Sequence, residues 1–258
     1  LPLPFDKKLL KNLGENELNK AIEEIKQNYI LQKDPICSVK KYSQKNRIKD
    51  INFYKSTYKN NKKNILVLLH VFTDQSRIRL ENSWYENYLD WFLETIEYCK
   101  LNDKVNWFFK GHPHEDHYPI NKYFKNLILK KIKDNKFTYI ESNKQFLHGE
   151  VSKLASAIVT CTGTCKIEYQ ALFEMPVISC IGKYSVFEIE AQPNTARNQN
   201  EYKNLIKNVH NLKLSKDDIR SSKEALLFFK RTSGTSQNCD FKVKTFFDKK
   251  NEEVFRNY

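Results

Sequence analysis

Residues 107–115 read WFFKGHPHE and residues 158–168 read IVTCTGTCKIE. In both, an apolar run gives way abruptly to groups suited to phosphate. Lys110 can meet a diphosphate as a point charge. His112 can serve as a hydrogen-bond donor or as a proton source for a departing phosphate. In the second segment Gly163 lets the backbone approach a ligand closely. The hydroxyls of Thr162 and Thr164, with the first amides of a following helix, can hold an anion. A threonine at a helix N-cap can equally satisfy its own backbone with no ligand. Glu168 stands one helical turn beyond Thr164. A carboxylate there can accept from two vicinal ribose hydroxyls, or simply favour the positive end of the helix.

Two further segments carry polar groups after apolar runs. His70, Thr73 and Asp74 could supply a base and its orienting carboxylate, or close over a ligand as loop residues. Gly182, Lys183 and Tyr184 follow Val177–Cys180. His112, His114 and His117 with Glu115 and Asp116 form a local cluster. It has no second half elsewhere and fits no metal-ligand spacing, so no metal is expected. His148 and His210 sit in helical contexts and read as structural. There is no P-loop, no GxGxxG and no nucleophile elbow.

Those residues need elements to position them. Residues 65–69, 105–109, 137–140, 157–160 and 176–180 are short apolar runs of the kind found in parallel strands buried on both faces. Between and after them, residues 82–100, 121–132, 144–154, 166–173, 200–210 and 216–232 have helical spacing, as do residues 16–32. Alternation of the two predicts an α/β fold, a Rossmann-like parallel sheet with helices on both faces, whose strands all end at one edge. Three regions are expected. Residues 1–63 form a helical and irregular N-terminal segment, with 33–63 as a linker. Residues 64–232 form the nucleotide-binding domain, and residues 233–258 a tail.

Composition narrows the class. The 258-residue chain carries 44 basic and 31 acidic residues, a net charge of +13. The lysines are scattered among asparagines rather than clustered with aromatics, which argues against nucleic acid and leaves an anionic acceptor or lipid surface as a partner. No window has the ~18–20 apolar residues of a membrane span. The N-terminus lacks the pattern of a secretory signal. Cys37, Cys99, Cys161, Cys165, Cys180 and Cys239 show no recurring CxxC and read as reduced thiols of a cytoplasmic protein.

Taken in order, ILVLLHVFTDQ, VNWFFKGHP and VTCTGTCKIEYQALFEMPVISCIGKY are similar to the "HvFtD", "nWxxKxHP" and "TGTxxxE … PVIxxGxxY" segments of GT-B glycosyltransferases of the bacterial capsular and surface polysaccharide group. Residues 64–190 resemble their C-terminal, nucleotide-binding half. CDP-glycerol glycerophosphotransferases and several bacterial sialyltransferases share the HP element. The resemblance implies a metal-independent transferase, with a nucleotide-activated sugar as substrate rather than a bound cofactor. Cytidine is a suitable nucleotide, and the acceptor would be a saccharide. Lys110 and His112 would contact donor phosphate from one side, and Thr162, Gly163 and Thr164 from the other. Glu168 would bind the ribose and Tyr184 would line the nucleotide site. His112, His70 and Asp74 would be the catalytic groups. Residues 1–63 are too short for the N-terminal domain of such enzymes, so an N-terminal domain or partner subunit is expected to supply the acceptor site, with peripheral contact to the inner membrane. Transfer of a CDP-linked polyol phosphate and a non-catalytic binding half are the alternatives.

Overall fold

The computed structural model describes residues 14–30, 44–58, 60–72, 83–113, 115, 121–144, 146–180 and 193–232. Strands β1 (Lys63–Leu68), β2 (Val105–Lys110), β3 (Thr138–Ile140), β4 (Ala157–Val159), β5 (Val177–Cys180) and β6 (Thr195–Ala196) form one sheet in the order β3-β2-β1-β4-β5-β6. All pairings are parallel, with Leu66 of β1 opposite Phe108 of β2 and Ile158 of β4. The α/β parallel architecture expected from the alternating pattern is the one observed. The two-residue strand β6 is an addition, too short to leave a periodic signal.

Central strands carry apolar side chains on both faces because helices cover both. Ile65, Val67, Trp107 and Phe109 face α3 (Tyr88–Lys100), α4 (Asn121–Asp134) and α7 (Gln199–Lys207), packing on Trp91, Phe92, Ile128, Ile132 and Tyr202. Leu66, Phe108 and Ile158 face the opposite way, onto Ile51 and Tyr54 of α2 (Gln44–Thr57), Val151 of α5 (His148–Leu154) and Tyr169 of α6 (Cys165–Phe173). A third layer lies outside α6. There α1 (Glu15–Ile30) and α8 (Lys216–Thr232) bury Leu18, Ile22, Leu226 and Phe228 against Ile167 and Leu172. The C-terminal helix therefore packs on this unit and on α1.

The expected irregular linker over 33–63 is corrected by α2. Its inward face consists of Arg47, Ile51 and Tyr54, while Ile48 and Phe53 point outward. One of the three buried positions is a charge, so no apolar stripe is visible in the sequence. Arg47 can be buried because its Nε lies 3.0 Å from Glu150 Oε1 on α5. That helix starts at His148, not Lys144, because Glu150 folds back to accept the Leu147 amide at 2.8 Å. Similarly, α3 starts at Tyr88, where Asn87 Oδ1 caps the Leu89 and Asp90 amides at 2.9 Å each.

The strand order places β1 at the centre, with the chain moving outward through β2 and β3 on one side and β4, β5 and β6 on the other. The helix connections of the two halves leave in opposite directions between β1 and β4, opening a crevice at the carboxyl ends of those strands. This is the topological switch point at which open α/β sheets bind ligands.

Candidate functional site

His70 follows β1 into that crevice. Its half-buried imidazole stacks on Tyr88, ring centroids 4.2 Å apart and planes 7° from parallel, with Trp91 edge-on. Its Nε2 is 3.1 Å from Thr160 Oγ1, just past β4. Thr160 gives its hydroxyl hydrogen to the Thr162 carbonyl at 3.0 Å, so it accepts from Nε2. The Thr162 amide points at the same nitrogen from 3.4 Å. That bond forms only in the other tautomer, where Nε2 is an acceptor. One histidine thus bridges β1 to the turn after β4 in either protonation arrangement. Thr73 and Asp74 lie outside the described residues.

The turn after β4 has the form an anion site needs. Gly163 has φ +107°, a conformation open to glycine and costly for other residues. Thr164 takes the N-cap position of α6 but makes no side-chain cap bond and is exposed. The capping alternative therefore describes its place and not its hydroxyl. The amides of Gly163, Thr164 and Cys165 donate to no described residue. They stand at the positive end of a nine-residue helix.

Glu168 is largely buried, and its Oε2 lies 3.3 Å from Nε2 of His148, the first residue of α5. The imidazole also lies against Tyr169, centroids 4.9 Å apart. His148, read from sequence as structural, holds the carboxylate expected to bind ribose. Its position at a helix start following β3 was the signal that would have placed it on the ligand edge. Lys166, also missed, is buried in the first turn of α6. Burial draws its pKa down to about 8, while the nearby Cys165, Cys180 and Cys161 pull upward. Cys99, Cys161, Cys165 and Cys180 are free thiols.

At the end of β2 the structure corrects one expectation. Lys110 turns inward, donating to the carbonyls of Gly111 at 3.0 Å, Glu141 at 3.0 Å and Ser142 at 3.3 Å. An ammonium has three hydrogens, and these are committed to backbone rather than to donor phosphate. Burial lowers its pKa to about 8, with Glu115 opposing. Gly111 is required by space. A Cβ there would lie 2.5 Å from Tyr139 Oη, 2.7 Å from Glu115 Oε2 and 3.1 Å from the Ser142 amide. Gly111→Ala should lower stability by about 1–3 kcal/mol, read as an earlier urea midpoint. An unshifted midpoint would mean this turn yields freely.

His112 follows, half-buried, its carbonyl accepting from the Glu115 amide at 3.0 Å. Glu115 is braced by Tyr139 Oη at 3.2 Å and Lys125 Nζ at 3.4 Å. His114, Asp116 and His117 lie outside the described residues, as do Gly182, Lys183, Tyr184, Cys37, Cys239 and the tail 233–258. Among the described residues no three His, Cys, Asp or Glu groups assemble as a metal site, and no helix is long and apolar enough to cross a membrane.

His70, Thr162, Gly163 and Thr164 are thus gathered at the switch point, with Glu168 inside the first turn of α6. His112 lies across β1 from them, about 10 Å away at two strand spacings. No protein-family model and no curated protein sequence matches the chain. Among solved structures the chain is similar to the UDP-forming α,α-trehalose-phosphate synthase from Burkholderia vietnamiensis, at 9% identity and TM-score 0.47, over 82% of this chain and 49% of that one. It is also similar to the wall teichoic acid polymerase TagF, at 12% identity and TM-score 0.36, over 90% of this chain and 50% of that one. The chain spans about half the length of both. At these scores the likeness carries no functional argument, which rests on the site itself.

Proposed function

We propose that this unit is the donor-binding half of a metal-independent glycosyltransferase of the GT-B type. It would bind a nucleotide-activated sugar for transfer to a surface-polysaccharide or lipid-linked saccharide acceptor. The observation that carries the reading is the His70–Thr160–Thr162 bridge at the switch point. It holds the Thr162-Gly163-Thr164 turn with its amides directed outward at the start of α6.

In this reading the turn amides and the buried Lys166 offset the charge that develops on the leaving nucleotide, a task for fixed dipoles and nearby cations. The acceptor hydroxyl oxygen attacks the anomeric carbon as the bond from that carbon to the phosphate oxygen breaks, its electrons passing to the phosphate. His112 donates a hydrogen bond or proton to that oxygen. His70, with Asp74 in the following segment, is the candidate to take the hydroxyl proton. Glu168, held by His148, receives the ribose hydroxyls, and Tyr184 lines the nucleotide. Lys110 positions the His112 turn. The acceptor face comes from an N-terminal domain or partner subunit.

Calorimetric titration with CMP, CDP, UDP and GDP tests the reading. At least one should bind, and His112→Ala and Glu168→Ala should each weaken it by about 1–3 kcal/mol. A folded protein that binds none of the four overturns the proposal. Incubation with CDP-glycerol and an acceptor separates the two chemistries, since a product heavier by glycerol phosphate identifies polyol-phosphate transfer.

A further inference from the structure

The opposite edge of the sheet, where the strands begin, holds a cavity of about 280 Å3. It lies between the turn joining α3 to β2 and the end of α7, and its lining includes Asp103, Lys104, Asn204, Lys207, Asn208 and His210. This is just below the ~300 Å3 at which pockets for drug-sized ligands begin, so a small ligand is indicated.

The walls are built. Asn102 spans the two sides, its Nδ2 donating to the carbonyls of Ile206 at 3.0 Å and Lys207 at 3.1 Å. Lys63 Nζ holds the His210 carbonyl at 2.8 Å, and Lys62 Nζ holds that of Asp103. The groups facing the space are by contrast uncommitted. Neither Lys104 nor Lys207 gives its ammonium to any described residue, nor does the Asp103 carboxylate have a partner among them. His210 Nδ1 is enclosed with no hydrogen-bond partner, a condition that calls for a ligand or solvent to complete it. Two ammonium groups and an imidazole against one carboxylate make the lining net positive.

We propose that this cavity binds a small phosphate-bearing anion, at a site separate from the donor crevice. Lys104 and Lys207 would meet its charge as point donors, Asn204 would supply amide hydrogen bonds, and His210 Nδ1 would close the inner side. The shared chemistry is the phosphate group, whether free or carried on a lipid.

Inorganic pyrophosphate is the probe, followed through the His210 imidazole resonances by NMR and through calorimetric affinity. The wild-type protein should show a saturable His210 shift. Lys104→Glu and Lys207→Glu should each weaken binding about tenfold or more, while Lys45→Glu, the same charge change on α2, should not. Vesicles containing phosphatidylglycerol form the second arm. Co-sedimentation lost in Lys104→Glu with Lys207→Glu assigns a lipid headgroup. A pyrophosphate response without co-sedimentation assigns a free phosphate compound. No His210 shift, or equal weakening by Lys45→Glu, overturns the site. The His210 readout is independent of the Thr162–Thr164 turn, so failure here leaves the donor reading intact, and the reverse holds.

Discussion

Lys110→Met is expected to lower stability by about 3–5 kcal/mol, the range for removing one side of a buried charged interaction. The ammonium draws together the carbonyls of Gly111, Glu141 and Ser142. A methionine of similar length fills the space and leaves those oxygens enclosed without a donor. The experiment also separates two roles for the residue. A lysine directed at donor phosphate would leave the urea midpoint unchanged and weaken nucleotide binding by itself. A lysine acting as a strut moves the midpoint first. Nucleotide affinity then falls only as the turn carrying His112 loosens, and recovers at low temperature where the variant is folded. A variant as stable as wild type that no longer binds nucleotide would restore the phosphate-contact role.

That residue shows where sequence reading stops. The apolar runs of β1, β2 and β4 were legible because strands covered on both faces leave no polar alternation, and the polar residues after them marked the ligand edge correctly. What chain order does not encode is the direction of a long side chain. Lys110 is the last residue of β2, and whether it points to the crevice or under the β3–α5 turn depends on carbonyls thirty-one and thirty-two positions away. His148 was hidden for a related reason, since its partner Glu168 lies twenty residues on, across a strand. Helix α2 escaped because Arg47 fills a core position that Glu150, one hundred and three residues later, makes tolerable. Each miss is a polar group whose burial is licensed by a distant partner.

Lys166 extends this argument to pH. Its side chain is buried in the first turn of α6, near the positive end of the helix dipole. The surrounding thiols give little compensation at neutral pH. Burial, with Glu168 adding to it, pushes Cys165 up to about 12, and burial holds Cys180 well above its usual range, so both stay uncharged. Burial lowers the Lys166 pKa from 10.5 to about 8. Between those values the unfolded chain holds the proton that the folded chain has released, so this residue's contribution to stability rises with pH through that window. Below pH 8 the folded state carries the full cost of the buried cation, about 3 kcal/mol. Lys166→Met removes it. The variant should be more stable than wild type at pH 7 by up to that amount, with the difference closing as pH approaches 10.5, as urea unfolding at a series of pH values would show. If the cation is kept for the donor phosphate beside it, the same variant should bind nucleoside diphosphate more weakly, exchanging function for stability. A variant less stable at pH 7, or a stability difference that does not change with pH, would show that Lys166 is compensated within the fold and contributes no field to the crevice.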